Sequence, residues 1–184
     1  MAEATHREVE LRLVVADRAV LEENLRVAGA TTIGEGVIQT SAFDFDDGRL
    51  RTGRQTLRLR EDWNGTTLTI KSPAAATSDE DAGRMKVRDE VNVPLSAGAG
   101  PDARLFLGSL GLRETLRYAK RRASWALGEA RIDIDVLDDG GACFAEIEGD
   151  PETITRMRAA LGLDDAPIET RSYFAIVRLA RQGQ

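Results

Sequence analysis

Charged residues recur at every second position along several stretches of this chain. The sets are Glu8, Glu10 and Arg12; Arg58 and Arg60; Lys86, Arg88 and Glu90; Lys120 and Arg122; Asp133 and Asp135; Glu146 and Glu148. A period of two is that of a β-strand, whose successive side chains point to opposite faces. Each stretch therefore gathers its charges on one face. Glu and Arg dominate that face, where a solvated strand would usually also carry much Thr, Ser and Gln. Such a face can do two kinds of chemistry. Basic side chains pair with phosphate oxygens, Arg in bidentate fashion. Carboxylates hold hard divalent cations such as Mg²⁺ or Mn²⁺, and those cations bridge phosphate oxygens. The same pattern also fits a solvated sheet face laced by cross-strand ion pairs. Periodicity alone does not separate the two.

Composition narrows the chemistry. The 184 residues include a single His, His6, and a single Cys, Cys143. A His-rich zinc site, a His-based triad and an intrachain disulfide framework are all disfavoured. Any metal is expected on carboxylates, which suit Mg²⁺ or Mn²⁺. The net charge of −6 argues against a general nucleic-acid binder, though a local basic pocket survives that average. No apolar run approaches the ~20 residues that cross a bilayer, and the opening MAEATHREVELRL has no signal-peptide core. A cytoplasmic protein with no membrane or nucleic-acid partner is the simplest expectation, as a monomer or homodimer.

The length fits one domain, residues 1–184. Strands are expected at about Arg7–Val15, Thr32–Phe45, Thr56–Glu61, Thr66–Lys71, Arg84–Val93, Arg113–Leu127, Ala130–Leu137 and Cys143–Glu148. Asn64-Gly65 marks a hairpin and Asp46-Asp47-Gly48 a turn. Helices are expected from Asp17 to about Ala28, stopped by Gly29, and at about Pro101–Ser109, Pro151–Leu161 and Ser172–Ala180. Ser72–Gly83, which includes the acidic run Asp79-Glu80-Asp81, reads as a solvated loop. Eight strands joined mostly by short turns, with amphipathic helices around them, give an α+β antiparallel class. If the sheet closes, helices covering the apolar face leave the charged face as the lumen. Buried charge of that kind is costly without a compensating ligand, metal or water.

The order of motifs resembles the CYTH family, the triphosphate tunnel metalloenzymes. Glu8-Val9-Glu10-Leu11-Arg12 is similar to the family's E-x-E-x-K opening. Phe43 to Arg51 resembles its YFDTPDGRLR segment, Thr56 to Arg60 its TLRLR strand, and Thr67 to Lys71 its TLTLK strand. Arg88 and Glu90, Lys120-Arg121-Arg122, Ile134-Asp135 and Phe144 to Glu148 fit later motifs in the same order. The resemblance implies a closed eight-stranded antiparallel β-barrel with flanking helices and a triphosphate-containing small molecule in its tunnel. Glu8, Glu10 and Arg12 would be catalytic. Glu8, Glu10, Glu146 and Glu148 would hold the metal, with Glu90 and Asp135 as further carboxylates. Arg58, Arg60, Lys71, Arg88, Lys120, Arg122 and Arg171 would hold phosphate.

The implied activity is metal-dependent hydrolysis of tripolyphosphate or of a small organic triphosphate such as thiamine triphosphate. The alternatives are a class IV adenylate cyclase and a non-catalytic polyphosphate or nucleotide binder. Two departures bear on this. Arg12 stands where relatives carry Lys, and Arg and Lys are not equivalent at a tight site. The hairpin at Asp138-Asp139-Gly140-Gly141 lacks the G-L-G of many cyclase-like relatives. Of the remaining residues, Trp125 and Cys143 read as packing, Trp63 as hairpin rim within reach of a substrate ring, and His6 as a solvated or pairing group. Arg121 is expected to point away from its neighbours.

Overall fold

In the computed structural model, residues 6–74, 85–138 and 141–183 are described. Eight strands close into a barrel: β1 (His6–Val14), β2 (Thr31–Phe45), β3 (Thr56–Asp62), β4 (Gly65–Pro73), β5 (Lys86–Leu95), β6 (Leu112–Leu127), β7 (Ala130–Leu137) and β8 (Cys143–Glu148). Their order around the wall is β1-β5-β4-β3-β2-β6-β7-β8. Every neighbouring pair is antiparallel. Closure leaves no edge strand.

The hydrophobic core lies outside this wall. Helices α1 (Arg18–Val27) and α4 (Pro151–Ala160) bring Leu21, Leu25, Ile154 and Met157 onto Leu11, Leu13, Ile132, Ile134 and Ile147 of the strands. Trp125 belongs to the same cluster, as outer-face packing. Helix α3 (Gly100–Ser109) seats Leu107 on Phe43, Leu59 and Leu112. Helix α5 (Tyr173–Gln182) seats Tyr173, Ile176 and Val177 on Tyr118, Leu137 and Phe144. Because side chains alternate along each strand, burying one set under helices turns the charged set inward.

Local chemistry sets the boundaries. Asp17 caps α1 by accepting from the backbone N–H groups of Ala19 and Val20. Asp150 and Ser172 do the same for α4 and α5, and Pro151 opens α4. Gly65, at φ 127°, makes the β3–β4 hairpin in a conformation that other residues avoid. One further helix, α2 (Arg49–Thr52), stands where a turn alone was expected. It is a single turn, too short for periodicity to reveal. Arg84, Asp79-Glu80-Asp81 and Asp139-Gly140 lie outside the described residues.

Candidate active site in the barrel lumen

A cavity of about 580 Å³ occupies the lumen. It is lined by Glu8, Glu10 and Arg12 of β1, Arg58 and Arg60 of β3, Lys71 of β4, and Arg88 and Glu90 of β5. Lys120 and Arg122 of β6 and Glu146 and Glu148 of β8 complete the set expected from sequence. Two expected residues stand elsewhere. Asp135 is 0% exposed and does not line the cavity. The Arg171 side chain turns away onto Glu169, with Nε 2.9 Å from Oε1. Only its backbone carbonyl serves the lumen, accepting from Arg12 Nη1 at 2.6 Å.

The carboxylates concentrate on β1, β5 and β8. Glu10 lies directly across from Glu148 in the β1–β8 register. Lys71 Nζ approaches Glu8 Oε2 at 2.5 Å and also pairs with Glu90. Burial pushes the Glu8 carboxyl up to about 8, against the pull of Lys71, and Glu10 and Glu90 push it further. Glu90 goes the other way, down to about 2, because Lys71, a hydrogen bond from Glu8 and Arg58 outweigh its burial. The two carboxyls are thus driven apart as a coupled pair, Glu8 upward and Glu90 downward.

The basic residues are fixed by a second set of carboxylates. Asp135 accepts from Arg122 Nε at 2.6 Å, Arg122 Nη2 at 2.5 Å, Lys120 Nζ at 2.7 Å and the Tyr173 hydroxyl at 2.7 Å. Those four bonds occupy its acceptor sites and orient the two cations. Glu146 accepts from Arg12 Nε at 2.8 Å and also pairs with Arg122. Its carboxyl sits well below the usual range because Arg12 and Arg122 outweigh its burial. Arg12 is further stacked 3.8 Å from the Tyr173 ring centroid, and Lys120 lies 4.2 Å from the same centroid. Burial and Arg122 lower Lys120 to about 8, against Asp135 and Glu146. Arg58 Nε is buried with no hydrogen-bond partner among the described residues. A buried guanidinium donor left unpaired by protein invites an anionic oxygen.

The cavity lining carries ten Lys or Arg side chains and six Asp or Glu, a surplus of four positive charges with His6 neutral. The phosphate-holding chemistry is therefore present in excess. The carboxylates offer only oxygen donors, which fits Mg²⁺ or Mn²⁺. Glu8, Glu10 and Glu148 face the lumen free of the locked Asp135 cluster. Among the described residues no group of three or more His, Cys, Asp or Glu is assembled for a metal. Lys71 pairs with Glu8, and Lys86 and Arg12 pair with Glu10.

Sequence reasoning had placed Lys86 and Asp133 on the charged face without assigning them to the site; both line the cavity. Asn92, which shares the strand period and the polar face of Lys86, Arg88 and Glu90, lines it as well. Arg131, Arg54, Thr40, Tyr118 and Tyr173 also line it and were missed. Tyr173 sits on a helix, where no strand period points at a lumen. Arg121 is exposed, as its alternation with Lys120 and Arg122 requires. Trp63 stacks its indole over Gly34 and Gly36, where an added Cβ would come within 2.7 and 2.8 Å of the ring.

Comparison with known proteins agrees with this architecture. The CYTH domain model matches residues 6–169. A protein of Pyrococcus horikoshii OT3 superposes with a TM-score of 0.75 at 23% identity, over 96% of this chain and 99% of that one. A candidate adenylate cyclase of Vibrio parahaemolyticus gives 0.71 at 23% identity, over 95% of this chain and 99% of that one. The candidate adenylyl cyclase HpAC1 of Hippeastrum, described as having a dominant triphosphatase activity, gives 0.72 at 16% identity, over 94% of this chain and 95% of that one. No curated protein sequence matches. No described helix is long and apolar enough to cross a membrane. With eight antiparallel strands closed around a charged lumen and the family's pattern across 6–169, this chain belongs to the CYTH domain family.

Proposed function

We propose that this chain is a divalent-metal-dependent triphosphatase acting on inorganic tripolyphosphate or on a small organic triphosphate. The observation that carries the reading is the lumen itself: ten basic side chains facing six carboxylates in one enclosed cavity. A triphosphate brings about the charge that this surplus requires. Arg58, Arg60, Lys71, Arg88, Lys120 and Arg122 grip phosphate oxygens, and Arg58 Nε gains the acceptor it lacks. Asp135 and Glu146 hold Arg122, Lys120 and Arg12 at fixed angles, so little reorganisation accompanies binding.

Glu8, Glu10 and Glu148, with Glu90 beside them, would hold Mg²⁺ or Mn²⁺. The bound ion supplies neutralisation of the charge that builds on the transferring phosphoryl group. In hydrolysis a water oxygen attacks the terminal phosphorus, the bond to the bridging oxygen breaks, and diphosphate leaves. The water's proton needs an acceptor in the lumen. Arg12 contacts Glu10 and Glu146 and so keeps the carboxylate wall in register.

The test is an end-point assay with Mg²⁺ or Mn²⁺ on tripolyphosphate, thiamine triphosphate and ATP, scoring phosphate release and cyclic AMP. Phosphate release that EDTA and Glu8→Ala both abolish supports the reading and ranks the substrates. Cyclic AMP and diphosphate from ATP would make the chain a cyclase. A tripolyphosphate-dependent rise in melting temperature without turnover would leave a binding module.

A further inference from the structure

Two neighbouring rungs of the barrel wall meet on β3, β4 and β5. In one, Lys71 lies directly across from Glu90. In the next, Thr69 lies across from Arg58 on one side and Asn92 on the other. Thr67 and Lys71 line the cavity on β4, and Glu90 and Asn92 line it on β5. The strand period puts Thr69 on the same inward face. Thr69 is 2% exposed and is not itself part of the lining.

A directional chain of hydrogen bonds joins the two rungs. The Thr69 hydroxyl donates to Asn92 Oδ1 at 2.7 Å. Asn92 Nδ2 donates to Glu90 Oε2 at 3.2 Å. Glu90 Oε1 is ion-paired with Lys71, whose Nζ also reaches Glu8 Oε2 at 2.5 Å. The acidic end sets the sense of the chain. An ionised carboxylate only accepts, so Asn92 must turn its NH₂ group towards Glu90. Its carbonyl oxygen then faces Thr69, which makes the hydroxyl the donor.

The terminal torsion of a Glu side chain is broad, so a rotamer alone does not fix the plane of its carboxylate. A partner on each oxygen does. For Glu90 these come from two strands: Lys71 from β4, and Asn92 two residues further along β5. Asn92 supplies its donor without adding a charge. A carboxylate in its place would accept from Thr69 but repel Glu90. An apolar residue would leave Glu90 Oε2 and the Thr69 hydroxyl buried without this partner. Lys71 bridges Glu90 to Glu8, so the orientation of Glu90 also decides where Lys71 meets Glu8. One amide thus holds the spacing of two carboxylates proposed to face the metal.

We infer that Asn92, oriented by Thr69, is a positioning residue that sets the Glu90 carboxylate and, through Lys71, its spacing from Glu8 for a divalent cation. The inference rests on the metal-dependent reading above. Its test is titration of the full chain with Mn²⁺ alone, followed by electron paramagnetic resonance, with urea unfolding of each variant as a control. Asn92→Leu keeps the size and removes both polar groups. It should weaken Mn²⁺ binding by about tenfold, the low end of what losing an outer-shell partner costs in metal affinity. Thr69→Val should weaken binding by a smaller factor, and Thr69→Ser, which keeps the hydroxyl, should restore it. If Asn92→Leu does not fold, the two Thr69 variants decide the matter. A folded Asn92→Leu protein with wild-type Mn²⁺ affinity overturns the inference and spares the triphosphate reading. So does Thr69→Ser binding as weakly as Thr69→Val, because the hydroxyl is then not what acts. A wild-type protein that binds no Mn²⁺ overturns the inference, and the end-point assay above decides the triphosphate reading separately.

Discussion

Asp135 shows how a single residue can matter to the site without touching substrate. It is fully buried and accepts from Arg122, Lys120 and Tyr173. Asp135→Asn keeps the shape and removes the charge, leaving two cations buried with less compensation. A loss of about 3–5 kcal/mol in urea unfolding is expected, the usual cost of breaking a buried pair from one side. Saturating tripolyphosphate should restore part of it, since the anion supplies the missing charge and binds only the folded state. Unfolding that is unchanged by the substitution would show that the pairs contribute nothing net. Acid–base behaviour belongs to the same scale. Glu8, pushed up to about 8, must lose its proton before it can hold a cation. Activity at limiting metal therefore rises with pH towards 8. Lys120, lowered to about 8, loses its charge above that pH, so the grip on phosphate weakens. The kcat/KM profile should be a bell with its maximum near 8. More metal should move the acid limb to lower pH and leave the alkaline limb in place. Lys120→Arg should remove the alkaline limb, because a guanidinium does not titrate there. A profile flat across that range at low metal would sink this assignment.

At the scale of elements, much of the site could be read before the fold was known. The alternation Glu8, Glu10, Arg12 and the Thr56–Arg60 strand placed their charges on one face, and the structure turns that face inward. Pattern could not say whether the face was a lumen or a solvated surface. That depends on β1 pairing with both β5 and β8, a closure between segments far apart in sequence. Helical contributions were equally hidden. Tyr173, Ile176 and Val177 have ordinary core spacing, yet Tyr173 also faces the lumen between Arg12 and Lys120. Asp135 alternates correctly, but its four hydrogen bonds from β6 and α5 and its place behind the cavity lining depend on tertiary contacts that alternation does not show. The link between α5 and the tunnel can be measured. Tyr173→Phe removes only the hydroxyl bond to Asp135 and should cost about 1 kcal/mol. Tyr173→Ala also empties a core position and should cost about 3–5 kcal/mol. If kcat/KM falls in both variants at temperatures where each is folded, α5 positions the cations. If only stability changes, the helix is a cover.

Charge separation is a property of the whole molecule. The chain totals −6 while the cavity lining carries a surplus of four positive charges, so the remainder holds −10. A polyanionic substrate must therefore cross a repelling exterior to reach an attracting interior. The two fields respond differently to salt. Exposed charges are screened over about 10 Å at 0.1 M ionic strength, whereas enclosed pairs are screened much less. Raising salt from about 0.01 M to about 0.1 M should therefore relieve the exterior repulsion first and increase kcat/KM for tripolyphosphate. At higher salt, anions compete for Arg58, Arg60 and Arg122, and kcat/KM should fall through KM with kcat little changed. The measurement is initial rate against ionic strength at a fixed free Mg²⁺ concentration, with substrate well below KM. A monotonic fall from the lowest salt would mean that the field of the lumen reaches beyond its mouth and outweighs the acidic exterior. In that case Arg54, exposed and lining the cavity, would steer substrate, and Arg54→Gly should flatten the slope.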